Sequence, residues 1–454
     1  MRFGGFSAMK KFQVAYLPIG VPTFHLESAQ KEFDRSVELL KSIEENVAVP
    51  KEMLLSLDLL REFMEGLEPD LIILQNVTFA NAAYASQVLA RFECPILLWT
   101  LREPVIDGGR LRLNSLTGAY SAANTIRAFR EGPFTYVFGG PGEEAVAAKI
   151  KAAVRAARLK ADMRNLKLAA VGHTPQGFGF GRALDADMLK TFGVQLESIE
   201  ARELIDRAKS YSEEEVEEYL KDAQGRMNGL ENTPEKNRMD FARLYKAYKE
   251  YVTENQIGAL ASRCWPDFFT AFGTPVCAAL AILNDLGVAA SCEADTYGAL
   301  SMYLGMQLTD LPVFFGDPVS MDEEENTITF WHCGTAACSL ARPDTGARVD
   351  VHCNRKIGPT LDFGCRPAEK VTVFRIGRKP DGTFRFFLTE GEALDKPKQF
   401  NGTSVVVKTV NPSKGIVEQS VLDGWEPHFV VVYGNVTEEL EILGNMLKIE
   451  VCRY

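Results

Sequence analysis

Two acids one residue apart, Glu293 and Asp295, stand in SCEADTYGAL (residues 291–300), directly after the apolar run LGVAA. An ionised carboxylate at the end of a buried strand is costly unless it is paired or bound to a metal. On an extended strand, residues 293 and 295 share one face, so both carboxylates reach the same cleft. Carboxylate oxygens joined by an imidazole suit Mn2+, Mg2+ or a similar divalent ion with positions left open for substrate. Without a metal the same pair serves acid/base chemistry, or Asp295 caps the helix that follows. The imidazoles come from five histidines, His25, His173, His332, His352 and His428. His332 ends the run TITFWH ahead of a glycine, and His428 opens HFVVVYGN, where it can project into a cleft. His352 alternates within ARVDVHC and reads as a packed strand residue. His25 and His173 fall just past strand ends, where ligand loops lie.

Other chemistries are poorly represented. GFGFG (residues 177–181) follows a strand but is not GxGxxG, so it reads as a turn that lets the backbone approach a ligand or another domain. FGGPGEE (residues 138–144) reads as a tight turn before a helix. No HExxH or GxSxG occurs. His332 and Cys333 are adjacent, so on a strand they face opposite ways and make no dyad. The nine cysteines form no CxxC pair, and several sit in apolar runs, which fits a reducing cytoplasm. A net charge of -11 argues against a nucleic-acid partner. No apolar run is long enough to span a membrane.

These residues must be positioned by the 454-residue chain around them. From Lys10 onward, after an expected loose tail, apolar strands alternate with helices. KFQVAYLPIG, PDLIILQNV, PILLWTLREP and FTYVFGG are the strands. This rhythm predicts a parallel sheet covered on both faces, with ligands beyond the carboxyl ends of its strands. LKLAAVGH, IGALAS and VAASCEAD repeat the pattern. Ser212 with Glu215 marks a helix start, and the charged stretch to Asn255 predicts exposed helices. Past Leu311 the runs become short, β-branched and aromatic, with KPDG as a turn. The fold class expected is α/β, with two Rossmann-like parallel-sheet domains (residues 10–160 and 161–310). A mainly antiparallel β domain (residues 311–454), of the barrel-like sandwich kind, follows.

CEADTYGALSMYLGMQLT, FWHCGTAAC and PHFVVVYGNVTEELEILGNMLKIEV together resemble the L-fucose isomerase family and its L-arabinose isomerase relatives, in a short branch. The likeness is weak over most of the chain and stronger over residues 260–454. It implies a cytoplasmic aldose-ketose isomerase acting on a deoxy sugar, a pentose or a related sugar through an enediol. It also implies a divalent metal, usually manganese, and homo-trimers or homo-hexamers with sites between subunits. By position, Asp295 and His428 match metal ligands. The family's third ligand, a glutamate, has no counterpart in the helix TPVCAALAILNDLG, so Glu293 or Asp267 takes its place as base, with Glu293 also a metal ligand. Arg263, Trp265 and His332 line the sugar site. A non-catalytic sugar-binding protein, or an epimerase or lyase, is the alternative.

Overall fold

A computed structural model describes residues 10–454, so the tail expected before Lys10 lies outside the described residues. The described chain divides into two compact units, one of residues 10–162 and 438–449 and one of residues 163–437 and 450–454.

In the first unit β1 (Val14–Ile19), β2 (Val47–Ala48), β3 (Leu71–Asn76), β4 (Ile96–Thr100) and β5 (Thr135–Phe138) form a parallel sheet in the order β2-β1-β3-β4-β5. Every residue of β1, β3 and β4 is buried, which is why their sequences read as unbroken apolar runs. His25, expected in a ligand loop, instead caps the helix Leu26–Ile43, its Nδ1 accepting the Ser28 N–H at 3.3 Å. Residues 438–449 join this unit although they come late in the chain. Lys149 pairs with Glu438 at 2.7 Å, and Lys160 Nζ donates to the Met446 carbonyl at 3.0 Å.

The second unit holds a four-stranded parallel sheet, an eight-stranded mainly antiparallel sheet and a two-stranded ribbon. β6 (Lys167–Val171), β7 (Gln195–Ile199), β8 (Ala259–Ser262) and β9 (Ala289–Ser291) are parallel, in the order β7-β6-β8-β9. The helix Glu213–Arg226 starts at Ser212 with the reciprocal bonds its sequence predicts: Ser212 N–H to Glu215 Oε2 (2.8 Å) and Glu215 N–H to Ser212 Oγ (3.3 Å). The helix Glu235–Asn255 departs from the expectation of exposed helices. It buries Phe241, Leu244, Tyr245, Tyr248 and Tyr251 along one stripe, and most of its charges occupy the other face, the exception being Asp240, buried and paired with Lys236 and Arg243.

The β-rich part contains β10 (Phe314–Asp322), β11 (Thr327–His332), β12 (Val349–Asp350), β13 (Thr360–Leu361), β14 (Phe363–Gly364), β15 (Ala368–Arg378), β16 (Phe384–Ala393), β17 (Thr403–Thr409), β18 (Phe429–Val432) and β19 (Glu450–Arg453). The pairings run β14-β17-β11-β10-β18-β15-β16-β19, and β16 also pairs with β17. Six strands therefore close into a ring, which removes their free edges. Most of these pairs are antiparallel; β14–β17 and β16–β19 are parallel. β12 and β13 make a separate ribbon. His352 lies past the end of β12 rather than within a strand, because that strand is only two residues long. The histidine is buried, and its Nδ1 accepts the N–H groups of Asn354 and Arg355. Parallel α/β sheets followed by a mainly antiparallel β region are the class read from the sequence. Among the described residues, no helix is long and apolar enough to cross a membrane.

Candidate active site

The carboxyl ends of β8 and β9 face the β-rich part of the same unit, and the candidate residues gather there. β9 stops at Ser291, so the chain is not extended through the acidic pair. Glu293 and Ala294 both have left-handed backbone, with φ of 59° and 54°. Two such non-glycine residues cost about 1–2 kcal/mol each. They are held by Ala294 N–H donating to the Ser262 carbonyl (3.0 Å) and Asp295 N–H donating to Cys292 O (3.2 Å). The expected shared strand face is therefore replaced by a tight turn. This turn brings the two carboxylates to opposite nitrogens of one imidazole.

That imidazole is His428, buried at the mouth of β18. Its Nδ1 lies 2.8 Å from Asp295 Oδ2, and its Nε2 lies 3.0 Å from Glu293 Oε2. Asp295 is enclosed, with 1% of its side chain exposed, and both oxygens are engaged. Oδ1 accepts the Gly298 N–H at 2.9 Å, capping the helix Thr296–Thr309. Arg375, itself fully buried on β15, grips the same carboxylate through both terminal nitrogens. Burial alone would raise the Asp295 pKa; the Arg375 charge and His428 outweigh it and hold the carboxyl well below the usual range. An ionised Asp295 holds the proton on His428 Nδ1, so Nε2 is the nitrogen left to face Glu293, through a proton of its own or through a cation that replaces that proton.

Around Nε2 the groups are of one kind. Glu293 is at 3.0 Å and Asp317, on β10, at 3.5 Å. Donor atoms of Glu293, His332 and His428 all lie within 4.8 Å of one another. Burial lowers the pKa values of both histidines, yet neighbouring acids overcome it. His428 is raised by Asp295 and Glu293; His332 is pushed up to about 10 by Cys333, Asp317 and Glu293. Burial raises the Asp317 pKa, against the pull of His332 and His428. Carboxylates and imidazoles facing one another demand positive charge among them, supplied either by protons or by a metal cation. Two imidazoles and two carboxylates are also an ordinary donor set for a divalent first-row ion, so the residues fit one.

Aromatic rings wall this cluster. Trp265 donates its indole N–H to Glu293 Oε1 at 3.2 Å and meets Phe178 edge-on. Phe180 and Phe315 flank His428, with ring centroids at 5.4 and 4.7 Å. Phe178 and Phe180 belong to GFGFG, whose turn serves close approach. A Cβ on Gly181 would stand 2.8 Å from the Asp295 Cα. Because that neighbour is backbone, Gly181→Val is expected to cost about 1–3 kcal/mol and to displace Asp295, a loss that thermal denaturation would register.

Of the residues singled out in sequence, Glu293, Asp295, His332, His428 and Trp265 come together here. Asp267 and Arg263 form their own ion pair at 2.6 Å after β8, and Arg263 Nε also donates to Trp265 O at 3.3 Å. Sequence reading missed Arg375 and Asp317. Each left a trace: an arginine inside the apolar run VFRIG, and an acid straight after the apolar FFG.

No family model matches the chain. It is similar to proteins named sulfoquinovose isomerase. That of Clostridium sp. strain MSTE9 is 66% identical over 446 residues, covering 98% of this chain and all of the relative. That of Priestia megaterium is 37% identical over 98% of this chain and all of the relative. That of Alkalicoccus urumqiensis is 35% identical over 96% of this chain and 98% of its own length. The chain belongs to the sulfoquinovose isomerase family. It is thus a sugar isomerase of the aldose-ketose kind, as the sequence led us to expect. Membership of the sulfoquinovose isomerase family favours this reading over the non-catalytic, epimerase and lyase alternatives. The named relatives are sulfoquinovose isomerases, where the sequence motifs pointed to a short branch of the L-fucose and L-arabinose isomerase family with the sugar left open.

Proposed function

We propose that this protein interconverts sulfoquinovose, an aldose bearing a sulfonate, and the corresponding ketose, with a divalent cation held by Glu293, His332 and His428. The observation that carries the reading is the Nε2 face of His428. With Nδ1 held by Asp295, Nε2 meets Glu293 there, and Asp317 and His332 stand beside it. Aldose becomes ketose when C2 loses a proton, C1 gains one, and the hydroxyl proton of O2 is transferred to O1. A cation bound among these donors would polarise the two sugar oxygens and offset negative charge on them.

The protein residues carry the rest. Glu293 takes the proton from C2 and returns it at C1, a single carboxylate serving both carbons. Trp265 N–H holds Glu293 Oε1, which directs the other oxygen into the cluster. Asp317, whose pKa burial raises, is suited to exchange a proton with the sugar hydroxyls. Asp295 acts through His428 by fixing its tautomer, rather than by touching the cation. Asp267, engaged by Arg263, supports the Trp265 segment, and Glu293 replaces it as base. The rings of Phe178, Phe180 and Phe315 keep water away from the reacting carbons. The likeness to L-fucose isomerase supports manganese as the cation and an oligomer as the working form.

The test is product analysis in D2O. With Mn2+ present, sulfoquinovose should yield its ketose, with deuterium entering C1 in the fraction of turnovers in which the proton held by Glu293 exchanges with solvent before its return. Exhaustive chelation should remove at least about nine-tenths of the activity, and added Mn2+ should restore it. Turnover of L-fucose but not sulfoquinovose would overturn the substrate; full activity after chelation would overturn the cation.

A further inference from the structure

A sulfonated sugar carries a fixed negative charge at the end remote from its carbonyl. The carboxylates around His428 repel such a charge, so recognition requires a cation set apart from them. Most cations near the cluster already have carboxylate partners. Arg375 is bound to Asp295, Arg263 to Asp267 at 2.6 Å, and Arg378 to Asp187 at 3.3 Å.

Arg355 differs. It is exposed, and no carboxylate among the described residues pairs with it. Its guanidinium lies over the Trp265 ring, 5.5 Å from the centroid, and 5.8 Å from that of Phe269. Trp265 is the residue whose indole N–H reaches Glu293, so one side chain links the guanidinium to the reacting cluster. The base of Arg355 is anchored. Its backbone N–H donates to Nδ1 of the buried His352 at 3.3 Å, and the His352 ring stands edge-on to Phe269 at 5.1 Å. A guanidinium stacked on an indole is partly ordered before a ligand arrives. Its planar fork matches two oxygens of a tetrahedral oxyanion, and the charge survives any pH the protein tolerates.

We propose that Arg355 binds the sulfonate and thereby selects anionic sugars over uncharged ones. The assignment rests on the function proposed above and adds the residue that reads the anionic group. It makes Arg355 a specificity residue, with no part in moving protons.

The experiment compares wild type, Arg355→Gln and Arg355→Lys on sulfoquinovose and on 6-deoxyglucose, the same sugar with hydrogen in place of the sulfonate. The ratio of kcat/KM between the two sugars, or of their binding constants by calorimetry where the uncharged sugar is not turned over, is the readout. Arg355→Gln should lower the ratio roughly 10- to 100-fold, through KM rather than kcat. Arg355→Lys should recover only part, because a point charge lacks the fork. An unchanged ratio would overturn the assignment, as would equal losses on both sugars, which would mean that Arg355 merely supports Trp265. Wild-type turnover of sulfoquinovose with an unchanged ratio removes only the role of Arg355. Wild type that neither binds nor converts sulfoquinovose removes the function reading, and this inference with it.

Discussion

Glu293→Gln is expected to lower kcat by about 10^3-fold while leaving the fold intact. The amide keeps an oxygen for the Trp265 indole N–H and occupies the same volume, so the turn at residues 293–294 persists. What disappears is negative charge. Glutamine cannot take a proton from C2, and it is a poorer donor to a divalent cation than a carboxylate. Two measurements separate these losses. Steady-state kinetics at saturating Mn2+ reports the missing base, and equilibrium Mn2+ titration reports the missing ligand. A variant retaining a tenth or more of wild-type kcat at saturating metal would move the base to another residue, with Asp317 the first to examine.

The second large effect is on stability. Arg375→Met removes the counterion of a carboxylate that is 1% exposed and leaves Asp295 buried with its charge. Breaking such a pair from one side costs about 3–5 kcal/mol. Three of the four tryptophans (Trp265, Trp331 and Trp425) lie in this unit, so their fluorescence during urea denaturation follows the relevant transition. Combining Arg375→Met with Asp295→Asn should recover part of the loss. Asparagine keeps an oxygen for the Gly298 N–H, and the uncompensated charge is gone. The double variant should nevertheless remain a poor enzyme, since a neutral amide no longer holds the His428 Nδ1 proton as a carboxylate does. Additive losses in the two single variants would show that the pair contributes no coupling.

Linkage gives the pair a pH signature. The folded Asp295 pKa lies below its unfolded value, so its stabilisation is fully present above the unfolded carboxylate value near pH 4. It fades only as pH falls toward the depressed folded value. Wild type should therefore lose more stability than Asp295→Asn on acidification below about pH 4.

Local chemistry made much of this protein readable from its residues in order. Continuous apolar runs at 14–19, 71–76 and 96–100 could only be strands buried on both faces, and Ser212 with Glu215 could only open a helix economically. The change of texture after Leu311 announced antiparallel strands, because β-branched and aromatic residues with frequent turns suit half-buried ribbons. The acids at 293 and 295 and the late histidine at 428 stood out since charge and imidazole at strand ends need a partner.

The partners themselves were set by contacts between residues far apart in the chain. Asp295 meets Arg375 across 80 positions and His428 across 133, separations that no periodic pattern encodes. Nothing in Cys-Glu-Ala-Asp signals left-handed backbone at Glu293 and Ala294; the surrounding packing imposes it, and that turn gives each carboxylate its own nitrogen of His428. For the same reason Asp295 and Glu293, alike in sequence, differ in character. One is enclosed against a guanidinium and orients a ring; the other stands beside Trp265 with an oxygen facing the cluster. Residue type placed carboxylates and imidazoles near strand ends, while burial and long-range pairing assigned each its separate chemistry.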